Sequence, residues 1–397
     1  MAKKKKSIGD ALSDFMNKSF GEGTAVPPIE LKSDVRHVLD IGLPHLQRAC
    51  SKSIDDEFGL PLGRVVGVYG GAKAGKTTLC LMIAIGALKE DGVVIYIDQE
   101  RTLTTDYIRT VFKNNGVVDQ ALIKSNLILI QPSEEMVKKK KRLTIEEIEI
   151  RVKAAMEKIK SLREEVGFFP CVLIWDTISM TSTDSELKTA KKTKEAKGNV
   201  EVDDPKPTKA KAKNAQPGSH ARALRAFFRK CYDDFVETEA MLVMVAQQTS
   251  NIGFAGSSFL GKAAISFAVS LLLHISRKEY LTDEDKQVGI KGEIRIKENK
   301  TQPPYIKDVP YRVMFNHGYD QIYDLDYLLR RSGLFGGDKG KVEINVLGED
   351  NFEYNRIDVL ERRFAKLPKD SQQKLISRSQ MNYKITSKID VMRTSKK

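Results

Sequence analysis

The sequence predicts an α/β fold built on a doubly wound, mostly parallel sheet. Short apolar runs alternate with stretches of helical periodicity, the pattern of strands covered by helices. The runs are Val65–Val68, Val93–Asp98, Leu127–Gln131, Cys171–Asp176, Met241–Gln247 and Val269–Ser276. A glycine-rich turn, G-x-x-x-x-G-K-T at residues 70–77, follows the first run and leads into the apolar stretch Leu79, Leu81, Met82, Ile83 and Ile85. Strand, turn and helix in that order are the context that gives such a turn its chemistry.

Along the chain, residues 1–58 read as an N-terminal segment, with a basic arm at Lys3–Lys6 and an amphipathic helix around Ile8–Phe20. Residues 59–322 hold the α/β core. Its clearest helix spans about 144–165, where Ile145, Ile148, Val152, Ala155, Ile159 and Leu162 recur at helical spacing. Thr144 and Glu147 form a capping box at its start. Glu293–Lys297 and Tyr311–Asn316 follow with little helix between them and predict an antiparallel extension at one sheet edge. Residues 323–397 read as a small α+β domain: a helix at Asp326–Ser332, a strand at Val342–Val346, charged helices near 357–380 and a disordered tail.

The 397 residues are 41% hydrophobic, enough for one large domain with appendages. A net charge of +13 suits a polyanionic partner, nucleic acid before membrane. No apolar run reaches membrane-span length, and no apolar stretch follows the N-terminal lysines as in a signal peptide. Cys50, Cys80, Cys171 and Cys231 lack zinc or redox spacing and read as core residues of a cytoplasmic protein. The five histidines are scattered and none has ligand spacing.

The turn comprises Gly70, Gly71, Ala72, Lys73, Ala74, Gly75, Lys76, Thr77 and Thr78. Its glycines let the backbone wrap an anion, its amides cradle phosphates, and the helix from about Thr77 adds its positive end. Lys76 would reach the β and γ oxygens of a nucleoside triphosphate, and the Thr77 hydroxyl would ligate Mg²⁺. Three further strands end in polar groups at the same edge, where ligands bind in open α/β sheets. Asp176 sits where a magnesium-holding aspartate is needed. Asp98-Gln99-Glu100 offers a carboxylate to orient water, and Gln247-Gln248 offers amides. Acids and amides often end strands, but their convergence on a phosphate turn makes a site.

Residues 181–217 stand apart, poor in apolar residues and rich in lysine, including Lys188, Lys191, Lys192 and Lys194. Composition reads as a solvated insertion, and also as a cationic loop that meets phosphates; the two are compatible.

This order of parts resembles the RecA recombinase family, including its phage relatives of the UvsX type. Phe20-Gly21-Glu22-Gly23-Thr24, Leu39-Asp40-Ile41, Gly59-Leu60-Pro61-Leu62-Gly63-Arg64, Ile97-Asp98-Gln99-Glu100, Val245-Ala246-Gln247 and Lys297-Glu298-Asn299-Lys300 with Pro303-Pro304 carry the resemblance, over roughly residues 10–375. It implies a RecA-like core, an oligomerisation role for the N-terminal segment, and ATP and Mg²⁺ as cofactors. Glu100 becomes the catalytic carboxylate, Tyr107 the aromatic on adenine and Gln247 the sensor coupled to a DNA loop at 248–261. Gln248, Asn251, Gly253, Phe254, Ser257 and Gly261 are expected to meet DNA there. For Phe259, insertion between bases and subunit packing both stand. Phe267, Lys297 and Lys300 are expected at a subunit interface, with Lys300 acting on a neighbour's nucleotide.

Glu298 replaces one lysine of the family's pair, the 181–217 loop is long, and the second loop is short and lacks an arginine after the sensor glutamine. No zinc-ribbon cysteines or long helical N-terminal domain precede the core. The expected protein is a DNA-dependent ATPase forming helical filaments on single-stranded DNA and pairing it with double-stranded DNA. Its partners would include a single-strand-binding protein or loader, in a bacterial host cytoplasm if phage-encoded. A hexameric helicase on the same core would carry an arginine finger near the core's end, where Lys297 and Lys300 stand instead. A nucleotide-gated DNA-binding regulator would lack Glu100.

Overall fold

The computed structural model describes residues 8–21, 24–25, 35–51, 53–55, 57–138, 142–187, 218–250, 257–303, 306–332, 341–345 and 347–383. They fall into two units, Met1–Arg36 and His37–Lys397. In the first, α1 (Ile8–Phe20) is the predicted amphipathic helix. Asn17 ties down the chain behind it, donating to Ala25 O and accepting from Ala25 N.

The larger unit opens with β1 (Val38–Leu39), α2 (Pro44–Cys50) and β2 (Leu60–Pro61), then β3 (Val65–Gly70), α3 (Lys76–Lys89) and β4 (Val93–Asp98). Next come α4 (Thr105–Asn114), α5 (Gln120–Asn126), β5 (Leu127–Ile130), α6 (Glu134–Lys138), α7 (Ile145–Val166) and β6 (Cys171–Asp176). After the 188–217 stretch the chain resumes with α8 (Ser219–Glu237), β7 (Met241–Ser250), β8 (Ser257–Phe259) and α9 (Lys262–Ala268). The sheet continues with β9 (Leu271–Asp283), β10 (Lys286–Asn299), β11 (Asp308–Met314) and β12 (Gly318–Tyr319). The C-terminal layer holds α10 (Gln321–Ser332), β13 (Val342–Ile344), β14 (Phe352–Tyr354), α11 (Ile357–Lys366) and α12 (Lys369–Met381).

The main sheet has the order β12-β11-β10-β9-β3-β7-β6-β4-β5, with β8 on β7. From β9 to β5 every neighbouring pair is parallel, as predicted. Its central strands are apolar throughout because both faces are covered. Val66, Val68, Val94, Tyr96, Val172 and Ile174 pack on the α3 side. Val65, Ile95, Ile97, Leu173 and Trp175 pack on the other, with Ile148 and Val152 of α7 and Leu224 and Phe227 of α8. Thr144 and Glu147 make the capping box in both directions. The four cysteines are free and buried.

The antiparallel extension forms at the β9 edge. β9 and β10 are longer than the apolar pattern predicts. Their outer halves are held by ladder bonds and ion pairs, Lys278 with Glu293, Lys291 with Glu279, and Arg295 with Glu293 and Asp308. Their charged residues interrupt any continuous apolar run, and β10 shows only an alternating signal, with Ile290, Ile294 and Ile296 buried.

Residues 37–58, which the sequence groups with the N-terminal segment, belong to the larger unit. Leu39, Ile41, Leu43 and Leu46 are at most 2% exposed and enter the α3-side core. α10 starts five residues before the predicted Asp326, because Asp320 precedes it and accepts from Tyr323 N. A polar seam joins the C-terminal layer to α2. Buried Asp324 accepts from His45 N, Arg48 donates to Gln380 O, Gln380 donates to Pro44 O, and His45 Nε2 meets Tyr383 OH.

Burial pushes the Asp324 carboxyl up to about 7 from 3.8, against the bonds it accepts from the start of α2. Burial, then the Arg331 charge, pulls His45 down to about 3 from 6.5. The two act in opposite senses. A raised acid stabilises below its unfolded value and that gain is lost as pH rises through about 7; a lowered histidine stabilises above 6.5 and that gain is lost as pH falls toward about 3. Asp324→Asn is therefore expected to leave a stability that climbs steeply with pH between about 3 and 6.5, and His45→Gln one that declines between about 4 and 7. Urea unfolding across this range, with wild type the flattest of the three, checks both signs.

Candidate active site

β3 delivers the glycine-rich turn to the sheet edge. Gly70 pairs with Ile275 of β9, and a Cβ at Gly70 would stand 2.1 Å from Ile275 O. The neighbouring strand, as well as any anion, therefore requires glycine here. Gly75 closes the turn at φ +91°. α3 begins at Lys76, one residue earlier than predicted, and no side chain caps it. Its first N–H groups are thus left for a ligand. Two tyrosines of the antiparallel extension hold the turn from behind: Tyr311 OH donates to Ala74 O at 2.6 Å and Tyr319 OH to Gly75 O at 3.3 Å. Lys76 Nζ folds back onto Gly71 O at 2.7 Å and Gly70 O at 3.1 Å. Burial lowers the Lys76 pKa, and the charges of Asp176 and Glu100 work against that.

Asp176, at the end of β6, accepts on Oδ2 from Thr77 Oγ1 and from Tyr96 OH, both at 2.8 Å. Burial pushes this carboxyl up, and the two hydroxyls oppose the shift. Asp98 pairs with Asp176 across β4 and β6. It accepts from the backbone N–H of Arg101, Thr102 and Leu103 and from Gln131 Nε2, which shapes the turn carrying Glu100. Gln247 Nε2 donates to Glu100 Oε1 at 2.9 Å, while Ser179 Oγ accepts from Gln247 N at 2.9 Å. Burial raises the Glu100 pKa, and the Asp176 charge adds to it. Tyr107 OH lies 2.9 Å from Thr78 Oγ1.

β7 runs on past Gln247 to Ser250, and β8 folds back against it, pairing Gln248 with Phe259 and Ser250 with Ser257. Gln248 Oε1 accepts from His274 Nε2 at 3.0 Å. Phe259 is 4% exposed and packs on the Tyr69 ring at 4.6 Å. Neither base insertion nor subunit packing fits that ring, because the chain's own core encloses it. Gly261 caps α9 at φ +77°. Lys188, Lys191, Lys192, Lys194, Asn251, Gly253 and Phe254 lie outside the described residues. Lys300 lies by the start of β3, at the opposite end of that strand from the turn: its backbone N–H donates to Ser270 O, Ser270 N–H donates to Val65 O, and Lys300 Nζ donates to Phe267 O at 2.9 Å. Lys300, Phe267, Arg225, Arg229 and Tyr232 line a cavity of about 790 Å³, and Phe267 is 84% exposed. Lys297 is exposed, at a bulge in β10.

Residues 6–150 match the family model described as the RecA N-terminal domain. Protein RecA of Methylobacterium radiotolerans is 25% identical over 334 residues, 83% of this chain and 77% of that protein. Protein RecA of Parvibaculum lavamentivorans is 24% identical over 334 residues, 83% and 76% of the two chains. Protein RecA of Bartonella quintana is 26% identical over 325 residues, 81% and 78%. Over about four-fifths of its length the chain is therefore similar to RecA proteins, and its residues 6–150 carry the match to their N-terminal domain.

The match to the RecA N-terminal domain takes in the glycine-rich turn and Glu100; Asp176, Gln247 and Lys300 lie beyond residue 150, and their place rests on geometry. That geometry draws Lys76, Thr77, Asp176, Glu100 and Gln247 together and leaves Lys300 on another surface. Sequence reading missed Tyr96, Ser179, Tyr311 and Tyr319. Strand alternation puts Tyr96 on the face of Asp98 and was the available signal; the other three are brought in by tertiary contacts alone.

The donor set fits a magnesium nucleotide. An uncapped helix start and Lys76 suit phosphates, and a threonine hydroxyl beside one aspartate suits a cation that keeps most of its own water. No cluster of three or more metal-ligating side chains occurs among the described residues, nor does any of their helices have the length and apolarity to cross a membrane. Gly70→Ala should destabilise the protein by about 1–3 kcal/mol through its clash with β9, beyond any effect on nucleotide. Thermal unfolding without nucleotide measures this, and an unchanged midpoint would show that β9 yields freely.

Proposed function

We propose that the protein is a DNA-dependent ATPase and recombinase that assembles as a helical filament on single-stranded DNA and exchanges it with a homologous duplex. The observation that carries this reading is the bond from Gln247 to Glu100. Glu100 stands where a carboxylate activates water. Gln247 is the first exposed residue after the buried run Met241–Ala246, on a strand that continues directly into the 248–261 segment. One hydrogen bond therefore connects the hydrolytic group to the segment expected on DNA, and a change at either end reaches the other.

In this reading the N–H groups at the start of α3 and Lys76 bind and orient the triphosphate. Magnesium, when bound, neutralises phosphate charge, held through the Thr77 hydroxyl and the Asp176 carboxylate. Glu100 accepts a proton from the attacking water, and burial, by raising its pKa, makes it a stronger base. Tyr107, anchored to Thr78, is placed to meet the base. Lys300 lines a cavity with the exposed Phe267 instead of its own phosphate turn, which supports a part in a neighbouring copy's site. The lysines of the 188–217 stretch neutralise DNA phosphates without regard to sequence.

Lys76→Ala should abolish ATP hydrolysis. Gln247→Ala should cut DNA-stimulated hydrolysis about tenfold or more, an amount reachable by losing one charge-assisted bond. Steady-state ATPase assays with and without single-stranded DNA measure both; stimulation that survives in Gln247→Ala would remove the proposed coupling. Negative-stain imaging with ATP and single-stranded DNA is expected to show helical filaments, and closed rings would instead indicate a helicase. Replacing Lys188, Lys191, Lys192 and Lys194 with glutamine should reduce the salt slope of single-strand binding by about 0.7 for each phosphate that is no longer neutralised. An unchanged slope in a fluorescence-anisotropy titration would remove these lysines from the DNA path.

A further inference from the structure

Tyr96 is one of the largest fully buried side chains, 1% exposed. On β4 it stands two residues before Asp98 and pairs with Ile174 of β6, as Asp98 pairs with Asp176. Alternation along parallel strands puts Tyr96, Ile174, Asp98 and Asp176 on one face of the sheet, the face under α3. The ring fills core volume that phenylalanine would fill equally well. What phenylalanine lacks is the hydroxyl, which reaches forward along the strand to Asp176 Oδ2.

A buried phenol almost always finds an acceptor, but the choice of acceptor matters here. Thr77 and Tyr96 both donate to Oδ2, and no described residue donates to Oδ1. Rotating the carboxylate would break both bonds, one of them to a side chain locked in a close-packed core. One carboxylate oxygen is thus committed to the protein and the other is left for a ligand. Thr77 sits on the phosphate turn and moves with it. Tyr96 sits on the central sheet, so its grip on Asp176 is independent of the turn.

We infer that Tyr96 is a positioning residue for the magnesium ion: from beneath the phosphate turn its hydroxyl fixes the orientation in which Asp176 presents its free oxygen to the metal's hydration shell. The inference rests on the proposed nucleotide site. Tyr96 itself touches neither nucleotide nor metal. Hydrogen bonds of this outer kind typically change metal affinity by about 10–100-fold.

The test uses the full chain, a methylanthraniloyl ATP analogue as fluorescent probe, and the nearly isosteric Tyr96→Phe. Analogue binding is titrated with Mg²⁺ and, separately, measured in excess chelator. Mn²⁺ binding in the presence of ATP, followed by electron paramagnetic resonance, gives the metal affinity directly. The expected result is a rise of about tenfold or more in the metal concentration for half-maximal binding, with metal-free analogue affinity unchanged. An unchanged metal requirement would overturn the inference. So would an equal loss of metal-free and metal-dependent binding, which would mark Tyr96 as a packing residue. A wild-type chain that binds no analogue with or without Mg²⁺ would overturn the ATPase reading itself.

Discussion

Asp176 is a carboxylate only 4% exposed, at the point where the central sheet meets the phosphate turn. Burying an acid there is unfavourable unless hydrogen bonds replace the water it loses. The fold supplies two, from a residue on each side of the junction: Tyr96 from the sheet and Thr77 from α3. The carboxylate therefore joins the turn to its scaffold. Removing it would leave a buried phenol and a half-buried threonine hydroxyl without this acceptor and would loosen the start of α3.

The same logic recurs around the site. Asp98 spends its oxygens on three backbone N–H groups and Gln131, and so sets the turn from which Glu100 projects. Tyr311 and Tyr319 take the outward carbonyls of Ala74 and Gly75 and so help fix the peptide planes of the turn. In each case a side chain fixes the backbone that carries a candidate site residue. That is the support a preorganised site needs if its geometry is to be held within a fraction of an ångström.

Much of this was legible in the sequence, for a specific reason. Val93–Asp98 and Cys171–Asp176 are apolar on both faces and end in an acid, so their limits and their shared edge could be read directly. Ile8–Phe20 and the Thr144–Glu147 cap follow from local periodicity and local chemistry. Phe259 was different: nothing near it in the chain announces Tyr69, and an aromatic in a glycine-rich loop reads equally well as a ligand contact. Residues 37–58 read as an appendage because their apolar positions are short and interrupted, yet Leu39 and Ile41 complete the core beside α3. Lys300 stood out only through the family resemblance, and its surface, away from its own glycine-rich turn, only a fold could reveal.

The ion pairs that knit β9 to β10 and β11 match acid to base one for one, and so does most of the chain. Lysines 3–6, the 188–213 stretch and the residues from 384 onward carry surpluses of four, five and four positive charges, and these make up the whole net charge of +13. The rest of the chain is balanced, acid for base. Without those three segments the protein would have an isoelectric point near neutrality, would pass a cation exchanger at low salt, and would have little long-range field with which to draw in a polyanion. A field able to attract a polyanion would come from those lysines and not from the charge-balanced remainder, so the chain's colloidal behaviour and the geometry of its candidate site can vary independently.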